Sequence, residues 1–274
     1  MEKIAASSAF AMLGHPGRLD VFRLLMRFAP RGVRPTEIAA ALGLKQNTLS
    51  HHLSDLAACG LVQSERKGRS LFYSVNLDAT EDLIGFLALD VGRARPDLLG
   101  PLLASATETR VSPYNSFEVL FLCSRNSARS IMAEVLLRDL GGNRFVAHSA
   151  GVSPGPAPHP MALEVLARHG HDITGLTSDA MRSYQGDNAP HMDFIFTVCD
   201  AAAAQDCPRW PGLPITAHWG LPDPVTAEDP PSAFAQTYAA LHRRIAELVA
   251  LPVTELSRLA RQAQLDAIHT NSKD

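Results

Sequence analysis

Apolar side chains recur at helical spacing through the first part of the chain. They form three sets: Leu19, Phe22, Leu25 and Met26; Ile38 and Leu42; and Leu49, Leu53 and Leu56. This spacing predicts three or four short amphipathic helices. The following segment, LVQSERKGRSLFYSV, alternates apolar and polar positions on both sides of Lys67, Gly68 and Arg69. Such alternation around turn residues predicts a β-hairpin.

The second half of the chain has a different pattern, in which short apolar runs alternate with helical periodicity. The runs lie at residues 119–122, 145–148 and 194–198; the helical patterns lie at residues 130–140 and 159–169 and at Phe234, Tyr238, Leu241, Ile245 and Leu248. Apolar strands separated by amphipathic helices are typical of a parallel sheet. We therefore expect a three-layer α/β domain built on a parallel sheet.

A segment rich in proline, serine and threonine, GRARPDLLGPLLASATETRVSPYNSF, separates the two patterns. Proline and small polar residues of this kind mark a linker. We place a first domain at residues 1–92, a linker at 93–117 and a second domain at 118–252. Residues 253–274 are expected to form a tail, a weak amphipathic helix that frays and carries no chemistry.

Composition narrows the class of protein. Hydrophobic residues make up 46% of the 274 positions and charged residues 19%, as in soluble domains, and no apolar run approaches the about 20 residues that a membrane span needs. The N-terminal segment MEKIAASSAFAML lacks the basic region of a signal peptide. We expect a cytoplasmic protein with no membrane partner, in which a sparse set of 4 cysteines serves catalysis or burial rather than a disulfide framework.

Charge is distributed unevenly although the net charge is only −3. Residues 18–69 contain nine Lys or Arg and four Asp or Glu. The residues after 92 contain fifteen Lys or Arg and nineteen Asp or Glu. A basic region on an acidic protein favours a polyanionic partner for the first domain alone. Together with the helices and the basic hairpin, this favours a mainly α winged helix-turn-helix that binds DNA.

The segment RPTEIAAALGLKQNTLSHHLSDLAACGLV predicts two helices joined by a tight turn. Thr36 is the expected N-cap of the first helix, Gly43 its end, and Asn47 the N-cap of the second. Polar side chains near the start of the second helix suit contacts with bases and phosphates in the major groove. The predicted DNA-binding residues are Lys45, Gln46, Thr48, Ser50, His51 and His52 on this helix, and Arg66, Lys67 and Arg69 at the hairpin tip. The alternative is a small helical bundle with a solvated basic turn.

Residues 5–92 resemble the ArsR-type repressors, through LGHPGRLDVFRLL, the helix-turn-helix segment quoted above and the hairpin RKGRSLFYSVN. The resemblance implies a homodimer that binds a palindromic operator and releases it when an inducer binds. Thiolate-sensing members of the family have a cysteine pair in the helix before the recognition helix, where this chain has PTEIAAAL. Cys59, the only cysteine of the first domain, is expected at a helix end as a small core residue. The sequence therefore leaves open which inducer binds and where it binds.

The apolar run EVLFLC ends at Cys123 and is followed by a short loop and a helix that begins near Arg129. A strand, a loop and a helix N-terminus make an oxyanion cradle, because loop amides and the helix dipole converge there. We expect Cys123 to be a thiolate nucleophile, Arg129 to clamp two substrate oxygens and Ser130 to donate to the sulfur. The predicted substrate-binding residues are Ser124, Arg125, Asn126, Ser127, Ala128 and Arg129.

Other residues complete this hypothesis. Asp223 in LPDPV is a candidate general acid, and the alternative is a turn residue between two prolines. Asn126 is expected to hold the loop shape rather than to contact substrate.

Residues 118–250 resemble the low-molecular-weight tyrosine phosphatases, and more closely their arsenate reductase branch. The resemblance rests on VLFLCSRNSARSIMAEVLL, HSAGVSPGPAPHPMALEVLARHGHDI, FIFTVCDAAAAQDCPRWPG and HWGLPDPV. It implies that Cys123 attacks arsenate, that Cys199 attacks Cys123 to release arsenite, and that Cys207 takes over the disulfide for reduction by thioredoxin. Arsenate reduction needs two electrons, and one thiol pair supplies both. No tightly bound cofactor and no transition metal are implied.

Several alternatives stay open. Some members of the family bind potassium, and Asn126, Glu134, Ser149 and Asp179 match those positions. Cys199 and Cys207 are otherwise buried residues or, with distant His218, an incomplete zinc site. Arg125 stands where many relatives have a small residue. An arsenate reductase that takes electrons from mycothiol or glutaredoxin would use Cys123 alone. A tyrosine phosphatase would need neither Cys199 nor Cys207. A domain that has lost turnover would only sense an oxyanion.

Overall fold

The computed structural model describes residues 1–95, 116–185, 189–204, 210, 214–256 and 258–271. It contains two compact units, Met1–Ala104 and Ser105–Asp274. The division between them falls within the expected linker. None of the helices in the described ranges has the length and apolar character to cross a membrane.

The first unit begins with four helices: α1 (Lys3–Leu13), α2 (Pro16–Phe28), α3 (Pro35–Leu42) and α4 (Gln46–Ala58). Their core is formed by one face of α2 and α4, where Val21, Leu24, Leu25, Leu49, Leu53 and Leu56 are at most 1% exposed. The predicted helices are present, and Leu49, Leu53 and Leu56 face inward as expected. The buried face of α2 is shifted from the predicted one, since Leu19 and Met26 are exposed.

The helix caps differ from the sequence prediction. Helix α3 begins after Arg34, whose backbone N–H donates to Glu37 Oε2 at 3.0 Å, and Pro35 occupies the first helical position. Thr36 therefore lies inside the first turn, because proline favours that position and Glu37 provides the reciprocal acceptor. Helix α4 begins after Lys45, so Asn47 is not its cap either. Gly43 ends α3 as predicted, with a left-handed φ of 63°.

The predicted hairpin consists of β1 (Val62–Lys67) and β2 (Ser70–Val75), which pair antiparallel with Lys67 opposite Ser70. Gly68 has a φ of 62°, which suits the tight turn between them. Helix α5 (Leu77–Gly85) follows and continues into a π-helical turn, Phe86–Val91. The first unit is therefore a helix-turn-helix with a hairpin wing, as the sequence predicts.

The second unit is built on a parallel sheet with the strand order β4-β3-β5-β6. The strands are β3 (Phe117–Cys123), β4 (Phe145–Gly151), β5 (Phe194–Thr197) and β6 (Ile215–His218). The helices are α6 (Arg129–Gly141), α7 (Pro160–Arg168), the short α8 (Asp200–Ala204), α9 (Pro230–Ala250) and α10 (Arg258–Asn271). This arrangement confirms the predicted parallel α/β domain. Its largest core cluster joins the sheet to α6, α7, α9 and α10.

The expectation of a fraying tail is wrong for helix α10. Leu265 and Ile268 are 1% and 4% exposed and belong to the core of the second unit. Trp219 Nε1 donates to the carbonyl of Leu265 at 3.2 Å, and Gln262 donates to the carbonyl of Thr216 at 2.9 Å. The amphipathic pattern of the segment is weak because only one narrow face meets the core, but that face is fully covered.

Leu265→Ala tests whether α10 is part of the folded domain. Removal of a buried leucine side chain typically costs about 2–5 kcal/mol, so we expect denaturant-induced unfolding of the second unit to shift to a clearly lower midpoint. Gln264→Ala, an exposed position on the same helix, serves as the control and is expected to change little. Equal midpoints for both variants would contradict the packing of α10 against the core.

Candidate active site

Cys123 lies at the carboxyl end of β3, beside Gly151 of β4 in the sheet register. Its side chain is 2% exposed. The sulfur accepts a hydrogen bond from the backbone N–H of Asn126 at 3.1 Å and lies 3.0 Å from Ser130 Oγ. Both contacts place a hydrogen-bond donor against the sulfur, and donors of this kind stabilise a sulfur anion. The loop and the first turn of α6 therefore surround the predicted nucleophile.

The carbonyl groups of the loop are tied to the chain that follows β4. The carbonyls of Cys123, Ser124, Arg125 and Ser127 accept backbone N–H groups of Val152, Ser153, Gly155 and His159, at 2.7–3.1 Å. A trans peptide places the next N–H on the side opposite to each carbonyl. The amides after these carbonyls consequently point to the other side of the loop, where they form a concave anion site of the kind made by successive N–H groups. Arg125 is exposed in this loop.

Asn126 fixes the shape of the loop. Its backbone is left-handed, with a φ of 47°, and its side chain is fully buried. Nδ2 donates to Ser130 Oγ at 2.9 Å and to Ser149 Oγ at 2.7 Å, while Oδ1 accepts the N–H of Asp179 at 2.6 Å. Asparagine tolerates the left-handed region better than most residues. These bonds join the loop to α6, β4 and the segment before residue 180, and they agree with the structural role expected for Asn126.

Gly151 allows the loop to approach β4. A Cβ atom at this position would lie 2.8 Å from the backbone nitrogen of Asn126 and 2.9 Å from the carbonyl carbon of Arg125. Both neighbours are backbone atoms, so a side chain would have to displace the loop itself. This requirement was not predicted from the sequence, where its only signal is the short motif HSAG at the end of β4.

Arg129 and Asp223 meet at the mouth of the same loop. Arg129 Nη2 lies 2.8 Å from Asp223 Oδ2, and Nη1 donates to the carbonyl of Leu221 at 3.0 Å. The Arg129 side chain is 9% exposed and that of Asp223 is 40% exposed. Arg129 Nε is buried and has no acceptor among the described residues. A buried donor of this kind normally requires a partner, and an oxyanion in the loop would supply one.

Cys199 lies at the same edge of the sheet, after β5 and at the start of α8. Its side chain is 2% exposed, and its sulfur lies 3.3 Å from Ser124 Oγ and 3.3 Å from the N–H of Ala202. Burial raises the pKa of the Cys199 thiol; the hydrogen bond with Ser124 and the charge of Arg129 oppose that rise. The structure therefore brings the second cysteine next to the nucleophile loop. The predicted third cysteine, Cys207, lies outside the described residues.

The four residues matched to a potassium site are also brought together. Ser149 Oγ donates a hydrogen bond to Glu134 Oε2 at 2.5 Å and accepts one from Asn126 Nδ2. Thr177 Oγ1 donates a hydrogen bond to Asp179 Oδ1 at 3.2 Å. Burial raises the pKa of Glu134. Burial, Asp179 and Glu134 raise the pKa of Tyr184 to about 12. Two carboxyl groups, those of Glu134 and Asp179, therefore lie behind the loop together with the Ser149 hydroxyl and the Asn126 amide.

His218 is a residue whose position the sequence analysis did not foresee. It is distant from Cys199 in sequence, but its imidazole lies between Thr197 Oγ1, 2.8 Å from Nδ1, and Asp200 Oδ1, 2.9 Å from Nε2. Asp200 directly follows Cys199 in the chain. In the described part of the chain, no group of three or more His, Cys, Asp and Glu side chains is arranged to hold a metal ion.

In the first unit, the structure separates the predicted DNA-binding residues into exposed and buried ones. Lys45, Gln46, Thr48, Ser50, His51, Arg66, Lys67 and Arg69 are exposed. His52 is 9% exposed and packs against His15, with ring centroids 5.1 Å apart. Burial, together with the neighbouring His15, lowers the pKa of His52. The prediction of a base contact by His52 is wrong, because its helical position points it toward α2 rather than toward the exposed face.

Cys59 lies at the end of α4 as expected, where its Sγ donates to the carbonyl of Leu56 at 3.2 Å, but it is only partly buried and is not the core residue that the sequence predicted.

Comparisons with known proteins agree with both units. The family model described as low molecular weight phosphotyrosine protein phosphatase matches residues 118–264, and the model described as bacterial regulatory protein, arsR family, matches residues 15–64. The glutaredoxin arsenate reductase of Synechocystis sp. is 34% identical over 107 residues, which are 39% of this chain and 78% of that protein. The arsenate reductase of Bacillus subtilis is 36% identical over 110 residues, 40% of this chain and 76% of that protein.

Among solved structures, a match is "An arsenate reductase in the phosphate binding state". It is 28% identical, has a TM-score of 0.41 and covers 49% of this chain and 97% of that chain.

Gly151→Ala tests the close approach of the loop to β4. We expect this substitution to weaken phosphate binding by about tenfold or more, because the added methyl group displaces backbone atoms of the anion site; isothermal titration with phosphate measures the change. Gly155→Ala is the matched control, since its Cβ would meet the carbonyl oxygen of Arg125 at an ordinary 3.6 Å. Equal phosphate affinity for the two variants would refute the requirement for glycine at position 151.

Proposed function

Because the chain belongs to the low molecular weight phosphotyrosine protein phosphatase family through residues 118–264 and has an ArsR-family helix-turn-helix at residues 15–64, we propose that it is a transcriptional regulator that also reduces arsenate to arsenite. The observation that carries the reductase proposal is the buried Cys199 thiol at 3.3 Å from Ser124 of the nucleophile loop. A phosphatase has no use for a second thiol at this position, whereas a reductase that passes electrons through an internal disulfide requires one. The arsenate reductases of Synechocystis and Bacillus subtilis are 34% and 36% identical to 39% and 40% of the chain.

The first step is attack of Cys123 on arsenate. The loop amides and the guanidinium of Arg129 hold the oxyanion, and Ser130 supports the sulfur at 3.0 Å. Asp223 lies 2.8 Å from Arg129 Nη2; when the guanidinium turns to the oxyanion, Asp223 takes up a proton from solvent and donates it to the departing oxygen. An S–As bond forms, water leaves, and arsenic stays in its oxidised state. Fixed donors around the anion account for the catalysis, because they are aligned before the substrate arrives.

The second step is the transfer of two electrons. The thiolate of Cys199 attacks Cys123 Sγ, an S–S bond forms, the S–As bond breaks, and its electron pair stays on arsenic, which leaves as arsenite. Cys207 then attacks Cys199, so that a Cys199–Cys207 disulfide forms and Cys123 is released as a thiolate. Thioredoxin reduces this disulfide by the same exchange chemistry. Each cycle consumes one thiol pair, and the electrons balance.

A potassium ion behind the loop is part of this proposal. Glu134, Ser149, Asp179 and the carbonyl oxygen of the Asn126 side chain offer oxygen donors, which suit a hard cation. Asn126 Oδ1 already accepts one N–H, but a carbonyl oxygen has two lone pairs. When bound, potassium would supply positive charge beside the buried Glu134 carboxylate. Asn126 and Ser149 themselves hold the loop through their mutual hydrogen bond at 2.7 Å.

A tyrosine phosphatase is the second candidate, because the matching family model carries that description. Cys123, Arg129 and Asp223 suffice for hydrolysis of a phosphate ester, and phosphate and arsenate are similar tetrahedral anions. Valine follows the Asp223–Pro224 pair, where a phosphatase for aromatic substrates would favour tyrosine. The cysteine variants described below separate the two activities.

The regulatory proposal concerns the first unit, which we infer binds operator DNA as a homodimer. Exposed polar and basic side chains at the start of α4 and at the hairpin tip provide base and phosphate contacts. Apolar side chains are exposed on α1, α5 and the π-helical turn, namely Ile4, Leu77, Ile84, Leu87, Leu89 and Val91. Exposed apolar side chains grouped on a surface favour an interface, and a second copy of the chain would cover those on α5 and the π-helical turn.

Cys199→Ser and Cys207→Ser test the reductase. We expect the purified protein to release arsenite from arsenate with thioredoxin, thioredoxin reductase and NADPH, and both variants to fall to background, because neither can form the Cys199–Cys207 disulfide. Hydrolysis of p-nitrophenyl phosphate, which needs only Cys123, Arg129 and Asp223, is the internal control and should persist.

Cys59→Ser is the matched cysteine control and should keep full arsenite release. Turnover of the phosphate ester without any arsenite release by the wild-type protein would favour the phosphatase. Arsenite release that survives in both variants would point to a route through Cys123 alone.

Arg66→Ala and Arg69→Ala test the wing contacts. Each lost phosphate contact should lower the slope of log affinity against log salt by about 0.9, with little change in sequence preference; titration of operator DNA at several salt concentrations measures it. Arg23→Ala on α2 is the charge-matched control. Unchanged slopes, or a sedimentation mass of one chain per operator, would overturn the proposed interface.

A further inference from the structure

His218 connects the residues on both sides of Cys199. Its Nδ1 lies 2.8 Å from Thr197 Oγ1, the last residue of β5, and its Nε2 lies 2.9 Å from Asp200 Oδ1, the first residue of α8. Backbone bonds continue this link, since the N–H of Trp219 donates to the carbonyl of Thr197 at 2.8 Å. The chain around Cys199 is therefore attached to β6 at positions before and after the sulfur.

The two ends of this link differ in their exposure. The His218 side chain is 3% exposed, whereas that of Asp200 is 57% exposed. Gly220 lies directly against the pair, and a Cβ atom there would be 2.4 Å from His218 Nε2 and 2.5 Å from Asp200 Oδ1. Thr197 is fixed in the sheet. The contact with Asp200 can therefore open toward solvent without burying a carboxylate, while the contact with Thr197 stays in place.

Helix α8 has little stability of its own. It spans only Asp200–Ala204, and so short a helix does not persist without external contacts. Its first turn depends on Cys199, whose sulfur accepts the N–H of Ala202 and whose carbonyl accepts the N–H of Ala203. When Cys199 moves to bond with another sulfur, these contacts are lost, and the Asp200–His218 hydrogen bond is the remaining side-chain link that is described at this end of the helix.

We propose that His218 is a positioning residue for the second thiol: it holds Cys199 against Ser124 in the reduced protein, and its bond to Asp200 opens when α8 releases Cys199. This inference rests on the proposed arsenate reduction. It assigns a role to the His218–Asp200 contact that the anion site itself does not need, because neither residue contacts the nucleophile loop in the hydrogen bonds described above.

Three variants separate the two halves of the contact. His218→Asn keeps a polar group near the position of Nδ1 but cannot reach Asp200, His218→Gln extends to the position of Nε2, and Asp200→Ala removes the exposed partner. Alkylation of Cys199 by iodoacetamide, followed by peptide mass mapping, measures its accessibility in the absence of arsenate. Arsenite release measures the activity that needs the second thiol, Cys199. Hydrolysis of p-nitrophenyl phosphate measures the activity of the nucleophile loop without that thiol.

We expect His218→Asn and Asp200→Ala to increase Cys199 alkylation and to decrease kcat for arsenite release, each by about tenfold or more. The KM for arsenate and the hydrolysis of the phosphate ester should stay near the wild-type values, and His218→Gln should restore part of kcat. Asp229→Ala, which removes the side-chain cap of α9, controls for a general loss of helix stability and should leave Cys199 alkylation unchanged.

Wild-type alkylation rates in both His218→Asn and Asp200→Ala would overturn the proposal. Because Asp200 is largely exposed, its variant tests the contact even if His218→Asn does not fold. If the wild-type protein releases no arsenite, the proposed function fails, while the alkylation rates still decide whether His218 positions Cys199.

Discussion

The anion site depends on the left-handed backbone of Asn126. That conformation costs about 1–2 kcal/mol for a residue with a side chain, and the structure offsets the cost with hydrogen bonds from both ends of the buried amide. The same bonds join the loop to Ser130 of α6 and Ser149 of β4, and Gly151 leaves the space that the loop occupies. The loop therefore has its concave shape before any anion binds, which is the condition under which fixed amides stabilise charge most effectively.

In the proposed relay Cys123 reacts before Cys199, and the two described thiols of the second unit differ in their surroundings rather than in their exposure. Cys123 lies at the base of the anion site, where the substrate binds. Cys199 is equally buried, but it faces Ser124 and its burial raises the pKa of its thiol. In the proposed relay, Cys199 would therefore stay out of solvent until an adduct has formed on Cys123. The hydrogen bond with Ser124 and the charge of Arg129 oppose the effect of burial on this pKa.

Much of this architecture could be predicted from local sequence patterns. Strand, loop and helix periodicity placed Cys123 at a strand end and Arg129 at a helix start, and parallel strands necessarily bring Cys199 to the same edge. Features that depend on contacts between distant segments could not be predicted. His52 has the sequence surroundings of an exposed residue, but it is buried by His15 and Gly17 at the start of another helix. His218 contacts Asp200 only because β5 and β6 are neighbouring strands. The cap at Arg34 differs from the prediction because Pro35 and Glu37 compete with the intrinsic preference of Thr36 for the cap position.

The contacts of Trp219 link the active site to the last helix of the chain. Its ring stacks on that of Phe196 with centroids 4.0 Å apart. Its carbonyl accepts a hydrogen bond from Arg244 Nη1 at 2.6 Å, and its indole N–H donates one to the carbonyl of Leu265 on α10. A ribosome makes α10 after every other described element of this unit. The segment that carries Asp223 consequently gains its full support only after α10 has been made, so a nascent chain would contain the nucleophile loop well before it could fix the position of Asp223.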